Sequence, residues 1–114
     1  MFNPFNKPAS EKLTLDDLQV LLGNVAEGYV VEYKEDFPST TKIGHSLASL
    51  ANTYGGWYIV GVTTDSNHTA NEIVGYDTRV HRDGVAKVRE VAKTHIDPTP
   101  AFYPQVIGIG EDPA

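Results

Sequence analysis

The chain of 114 residues contains no cysteine. Disulfide cross-links and thiolate zinc centres are therefore excluded, and the fold must rest on packing alone. The absence fits a reducing compartment, and a cytoplasmic location is the expectation it supports. Long apolar runs are missing too. None approaches the roughly 20 residues that span a bilayer, and Met1-Phe2-Asn3-Pro4-Phe5 has neither the basic nor the long apolar segment of a secretory signal. No membrane role is expected. Basic residues are scarce as well. Nine Lys and Arg against fifteen Asp and Glu give a formal charge of -6, which weighs against sequence-independent nucleic-acid binding because phosphate capture depends on Lys and Arg. A local basic patch remains compatible with an acidic chain.

What is present reads as one small domain. Residues 1–12, with Pro4 and Pro8 and no periodicity, read as a flexible arm, and residues 13–114 as a single domain. Thr14 and Asp17 have capping-box spacing at a helix start, and Leu15, Leu18, Leu22 and Val25 form its apolar stripe before Gly23-Asn24 stops it. Tyr29 to Lys34 is a strand with Tyr29, Val31 and Tyr33 on one face and Val30, Glu32 and Lys34 on the other. Pro38 to Thr41 lead into a second helix with Ile43, Leu47, Leu50 and Ala51 as its stripe.

That helix stops at Asn52-Thr53-Tyr54-Gly55-Gly56, where a glycine supplies the positive φ of a helix end. Trp57 to Val62 follows, apolar on both faces, as a central strand is. After a polar loop come a short strand at Ile73–Tyr76 and a third helix from the Asp83 cap to before Pro98, with Val85, Val88, Ala92 and His95 on one stripe. A last, edge-type strand spans Phe102–Ile109, with Pro104 near its start. The order α-β-α-β-β-α-β indicates an α+β fold, a mixed sheet with two to three packed helices. Gly110 to Ala114 has turn composition, so the natural polypeptide is expected to continue.

Three groups carry potential chemistry. Glu27 and Glu32, with Lys34 on the Glu32 face, are the raw material for holding a divalent metal against a phosphate or for acid–base work. From the residues alone, the opposite charges of a solvated strand face account for Glu32 and Lys34 more readily. The Gly55-Gly56 corner is not a P-loop, since G-x-x-x-x-G-K-[ST] is absent and these glycines follow a helix. It reads as scaffold. Arg79, His81 and Arg82, with Lys87, Arg89 and Lys93 on the next helix, form the densest basic cluster. A solvated helix face accounts for it more readily than a nucleic-acid surface does. Tyr54, Trp57, Tyr76 and Tyr103 offer stacking surfaces or core. His45, His68, His81 and His95 lack ligand spacing, which argues against zinc.

Glu27, Glu32-Tyr33-Lys34, Leu50-Ala51-Asn52-Thr53-x-Gly55-Gly56, Gly61-Val62 and Ile73-Val74-Gly75 together resemble the Schlafen AlbA-like domain family, over residues 12–110. The resemblance implies an Alba-like mixed sheet with one more strand beyond this chain's end, in a domain placed at the start of a longer regulator. It implies nucleic-acid (DNA or RNA) binding in transcription regulation or defence, with Lys34, Arg79 and Arg82 as phosphate contacts. It further implies, as the alternative, a Schlafen-type endoribonuclease acting on transfer RNA. There Glu27, Glu32 and an aspartate after the Gly-Val strand would hold Mg or Mn, with Lys34 on the phosphate. At that third position the sequence has Thr63 and Thr64, and Asp65 comes one place late. A single domain also lacks the second lobe of the Schlafen clamp, which a homodimer would supply. A third reading is a protein-interaction or oligomerisation module.

Overall fold

The computed structural model describes residues 3–5, 7–8, 11–28, 30–52, 55–77, 79–80, 83–95 and 102–108. Helix α1 spans Leu15–Gln19, strand β1 Val31–Lys34, helix α2 Thr40–Asn52, strands β2 Trp57–Val60, β3 Val62–Thr64 and β4 Ala70–Ile73, and helix α3 Gly84–His95. The fold is mixed α+β. β1 and β2 pair in parallel with Val31 opposite Trp57 and Lys34 opposite Val60, so α2 is the crossover that parallel pairing requires. β3 and β4 form an antiparallel ribbon with Val62 opposite Ile73 and a bulge between Thr63 and Thr64.

The local chemistry behind these elements is explicit. Thr14 Oγ1 accepts the Asp17 amide at 3.3 Å while Asp17 Oδ2 accepts the Thr14 amide at 2.8 Å, the reciprocal box expected from the sequence. Lys7 Nζ donates to the same Oδ2 at 2.7 Å and holds the Asp17 carboxyl below its ordinary range. Such a cap matters for a five-residue helix, which cannot persist on its own hydrogen bonds. Thr14→Ala is expected to destabilise the domain by about 1 kcal/mol, read as an earlier urea midpoint. A midpoint equal to wild type would show that packing alone holds α1.

α1 ends at Gln19, short of the stop expected at Gly23-Asn24, and hydrogen-bonded turns carry the chain on to Gly23, whose φ of 71° lies in the left-handed region glycine favours. α2 starts under Ser39, whose Oγ accepts the Lys42 amide at 3.3 Å. Its C-terminal turn closes with the Gly55 amide on the Leu50 carbonyl at 3.1 Å. Asp83 Oδ1 accepts the Ala86 amide at 2.9 Å and starts α3 where the sequence places it.

The β1 alternation is as expected: Val31 and Tyr33 are buried in the main core with Phe5, Leu13, Leu18, Leu21, Val62 and Ala70. Phe5 meets Trp57 edge to face, with ring centroids 4.8 Å apart, so the part of the N-terminal stretch around it belongs to that core. Ile43 and Leu50 of α2 and Val91 and Ala92 of α3 are buried where these two helices pack.

Four further details differ from the sequence-based expectations. Trp57–Val62 is not one strand: Gly61 has φ 97°, outside β geometry, and its carbonyl accepts the Val74 and Gly75 amides, so β2 and β3 separate there. The strand expected at Ile73–Tyr76 lies three residues earlier, ending before Gly75 at φ 69°. Ala51, expected on the α2 stripe, is exposed, and Val91 joins Ala92 in the buried part of α3, while Ile43 and Leu50 are buried as expected. Residues 102–108 form no strand. They are tied to the N-terminal segment by the Gln105 side chain, which accepts the Leu13 amide at 2.7 Å and donates to the Glu11 carbonyl at 3.2 Å. Pro104 removes a ladder donor within this segment.

Candidate functional site

Parallel pairing with β2 fixes β1 so that Glu32 and Lys34 stand on the face opposite the buried Val31 and Tyr33. Glu27 precedes β1 and is anchored to it, its Oε1 accepting the Tyr33 amide at 3.1 Å. The Tyr33 hydroxyl donates to the Val25 carbonyl at 3.0 Å and closes the lead-in on the strand. The β3–β4 ribbon brings a second wall. The Glu27 amide donates to the His68 carbonyl at 2.8 Å, and Ala26 bridges Thr69. The result is an open cleft of about 460 Å³ lined by Glu27, Gly28, Val31, Glu32, Asn67 and His68.

The two glutamates singled out from sequence therefore meet in one cleft. Each has a cationic or basic neighbour. Lys34 Nζ lies 3.1 Å from Glu32 Oε1, and His68 Nδ1 lies 3.9 Å from Glu27 Oε2. Ser46 of α2 donates its hydroxyl to Glu32 Oε1 at 3.0 Å. Tyr58, the β2 partner of Glu32 in register, has a buried hydroxyl with no hydrogen-bond partner among the described residues. Burial, with Glu32 nearby, pushes its phenol up to about 12. The Tyr33 phenol is pushed up to about 12 by burial and by Glu27. Both phenols stay protonated at neutral pH, and the Tyr33 hydroxyl serves as a donor to the Val25 carbonyl.

Asp65 is placed differently. It follows β3 at the start of the loop to β4, and its Oδ1 accepts the Asn67 amide at 2.8 Å and the Thr69 amide at 3.0 Å. The carboxylate shapes the loop that carries His68. His68 sits at φ 61°, a conformation that costs a residue with a Cβ about 1–2 kcal/mol. Among the described residues no three Asp, Glu or His side chains are grouped so as to hold a metal ion. As a donor set for Mg or Mn, Glu27 and Glu32 share the cleft while the Asp65 carboxylate is turned to its own loop. The arrangement does not fit a three-carboxylate centre.

Arg79 lies outside the cleft residues. Its guanidinium and its backbone amide all bond the Asp77 carboxylate, with Nε at 3.1 Å and Nη2 at 3.0 Å, and the side chain is 78% exposed. Arg82 and His81 lie outside the described residues. On α3, Lys87 stands over the Phe37 ring at 5.1 Å and Arg89 over the Phe102 ring at 5.8 Å. Part of the basic cluster thus does packing work.

Sequence reasoning missed Ser46, Tyr58 and His68. Ser46 had a signal: it lies three residues after Ile43 and four before Leu50, a hydroxyl on the inward face of α2. Tyr58 and His68 had none, because their roles depend on strand register and on the ribbon's approach to Glu27.

Comparison with known proteins adds one match. The family model described as Schlafen, AlbA_2 matches residues 27–112, a span that begins at the first carboxylate of the cleft. No curated protein and no solved structure matches the chain. Among the described residues no helix is long and apolar enough to cross a membrane.

Proposed function

The chain belongs to the Schlafen AlbA_2 family, and from that premise we propose that it is a nucleic-acid-binding domain of a longer regulatory or defence protein. The observation that carries the reading is the conjunction on β1: a strand inside the matched span places Lys34 beside Glu32 on the exposed face, next to a cleft that also contains Glu27. Lys34 and the highly exposed Arg79 are the phosphate contacts, joined by Arg82. Both described cations are held by carboxylates of their own chain. Binding is therefore an exchange, in which a phosphate replaces Glu32 or Asp77, and modest affinity is the physical consequence.

Salt tests this directly. If the three cations neutralise two to three phosphates, raising salt from about 50 to about 200 mM weakens binding roughly 10- to 40-fold on duplex DNA, and less on single strands. The measurement is fluorescence anisotropy with labelled DNA and RNA of equal length. Affinity indifferent to salt, or no retention at low salt, removes the reading in favour of a protein-interaction module.

A second reading, a metal-dependent endoribonuclease, is favoured by one observation: Glu27 and Glu32 line the same cleft with Lys34 beside it. No step through a metal is derived, because Asp65 is committed to its loop. Within this reading Lys34 would orient a phosphate, and Glu27 and Glu32 would be the acceptors for protons or a cation.

A further inference from the structure

The Glu32 carboxylate joins two elements through one atom. Its Oε1 accepts the Ser46 hydroxyl from α2 at 3.0 Å and the Lys34 ammonium from β1 at 3.1 Å. A carboxylate oxygen has lone pairs for both donors, but a hydroxyl already bonded there withdraws charge from the oxygen and makes it a weaker partner for the ammonium. The Lys34 and Glu32 side chains are 34% and 28% exposed, so the pair sits at the surface, where an incoming phosphate can compete for the cation. Ser46 sits on the otherwise apolar stripe between Ile43 and Leu50, which are buried. An alanine would satisfy packing at that position.

We propose that Ser46 is a positioning residue for nucleic-acid capture: by donating to Glu32 Oε1 it draws the carboxylate toward α2, loosens its hold on Lys34, and leaves the ammonium free to transfer to a phosphate oxygen. The proposal rests on the nucleic-acid-binding reading and adds to it the control of its central cation. Ser46 does not touch the ligand. It acts through Glu32.

Two measurements on the full chain test it. The first is the rate at which an amine-reactive acetylating reagent labels Lys34, followed by peptide mass spectrometry. Ser46→Ala should slow labelling about two- to fivefold, the range of a surface ion pair, because Glu32 then serves Lys34 alone. Ser46→Thr, which keeps the hydroxyl, should label as wild type does. In a Glu32→Gln background Ser46→Ala should have no effect, since the carboxylate through which it acts is gone. A general packing role for Ser46 would persist in that background. Unchanged or faster labelling in Ser46→Ala, or the same slowing without Glu32, overturns the proposal.

The second measurement is the Kd for a labelled single-stranded RNA. Ser46→Ala should raise it by the same two- to fivefold, and Lys34→Ala should raise it at least as much. If Lys34→Ala leaves Kd unchanged, the nucleic-acid reading falls and phosphate capture falls with it, while the labelling result still decides the Ser46–Glu32–Lys34 coupling. If Lys34→Ala weakens binding and Ser46→Ala alters neither Kd nor labelling, the reading stands and the assignment of Ser46 is wrong.

Discussion

Gly56→Ala is expected to destabilise the domain by about 3 kcal/mol or more, the largest loss of any single substitution considered. A Cβ at Gly56 would collide with the Val30 carbonyl oxygen and stand 2.8 Å from its carbon, contacts no side chain tolerates. The obstacle is backbone, so no rotamer change relieves it. The backbone cannot retreat either, because the same Val30 oxygen accepts the Trp57 amide at 2.8 Å, the bond that opens the β1–β2 register. Overpacking and a backbone conformation disfavoured for alanine each cost about 1–3 kcal/mol, against a total of only about 5–15 kcal/mol for a domain. Urea unfolding of Gly56→Ala beside Gly28→Ala is the measurement. Gly28 has nothing within 4 Å of its would-be Cβ and should lie close to wild type. Equal midpoints for the two variants would show that the β1–β2 register is not what holds this sheet.

Glu32→Gln is expected to move binding and cleavage in opposite directions. Glutamine keeps the shape and an acceptor oxygen for Ser46 but removes the charge that holds Lys34 at 3.1 Å. With the ammonium released, nucleic-acid Kd at low salt should fall about two- to fivefold, the range of a part-exposed ion pair. If the cleft performs hydrolysis, the same substitution removes a proton acceptor and should lower cleavage at least about 100-fold. Anisotropy and a transfer-RNA cleavage gel with Mg²⁺ or Mn²⁺, run on one preparation, read both. Tighter binding with no cleavage in either protein identifies a binding domain. Cleavage lost in the variant alone identifies the nuclease, and cleavage that survives in it identifies a contaminant. Affinity that weakens in the variant contradicts the exchange between Glu32 and phosphate.

Much of the scaffold was legible because its signals are local. The Thr14–Asp17 box, the Asp83 cap and the alternation across Val31 to Lys34 each depend on residues a few positions apart, and all three appear as read. The errors fall where the deciding contact is distant. Trp57 to Val62 has the composition of one strand, yet Gly61 breaks it because its carbonyl is taken by the amides of Val74 and Gly75. Phe102 to Gly108 is β-like in composition but pairs with no strand among the described residues, and the Gln105 side chain ties it to the N-terminal segment while Ile107 packs against the core.

The site divides in the same way. Glu27, Glu32 and Lys34 are close in sequence and converge in space. Asp65 looked available by position, but its carboxylate satisfies the amides of its own turn, a choice that composition does not reveal. Ser46 was visible only as a polar interruption of an apolar stripe, and His68 not at all.

The break at Gly61 has a mechanical meaning. The cleft has Glu27 and Glu32 on the side of β1 and Asn67 and His68 on the ribbon of β3 and β4. Gly61 lies where the chain passes from one to the other, its amide on the Lys34 carbonyl at 2.6 Å and its own carbonyl on the amides that follow β4. With its amide and its carbonyl both bonded, Gly61 is a fixed corner that sets where the ribbon departs from β2, and the Glu27 amide on the His68 carbonyl at 2.8 Å ties the ribbon to the other wall. The position of one wall of the cleft thus depends on a residue that does not line it.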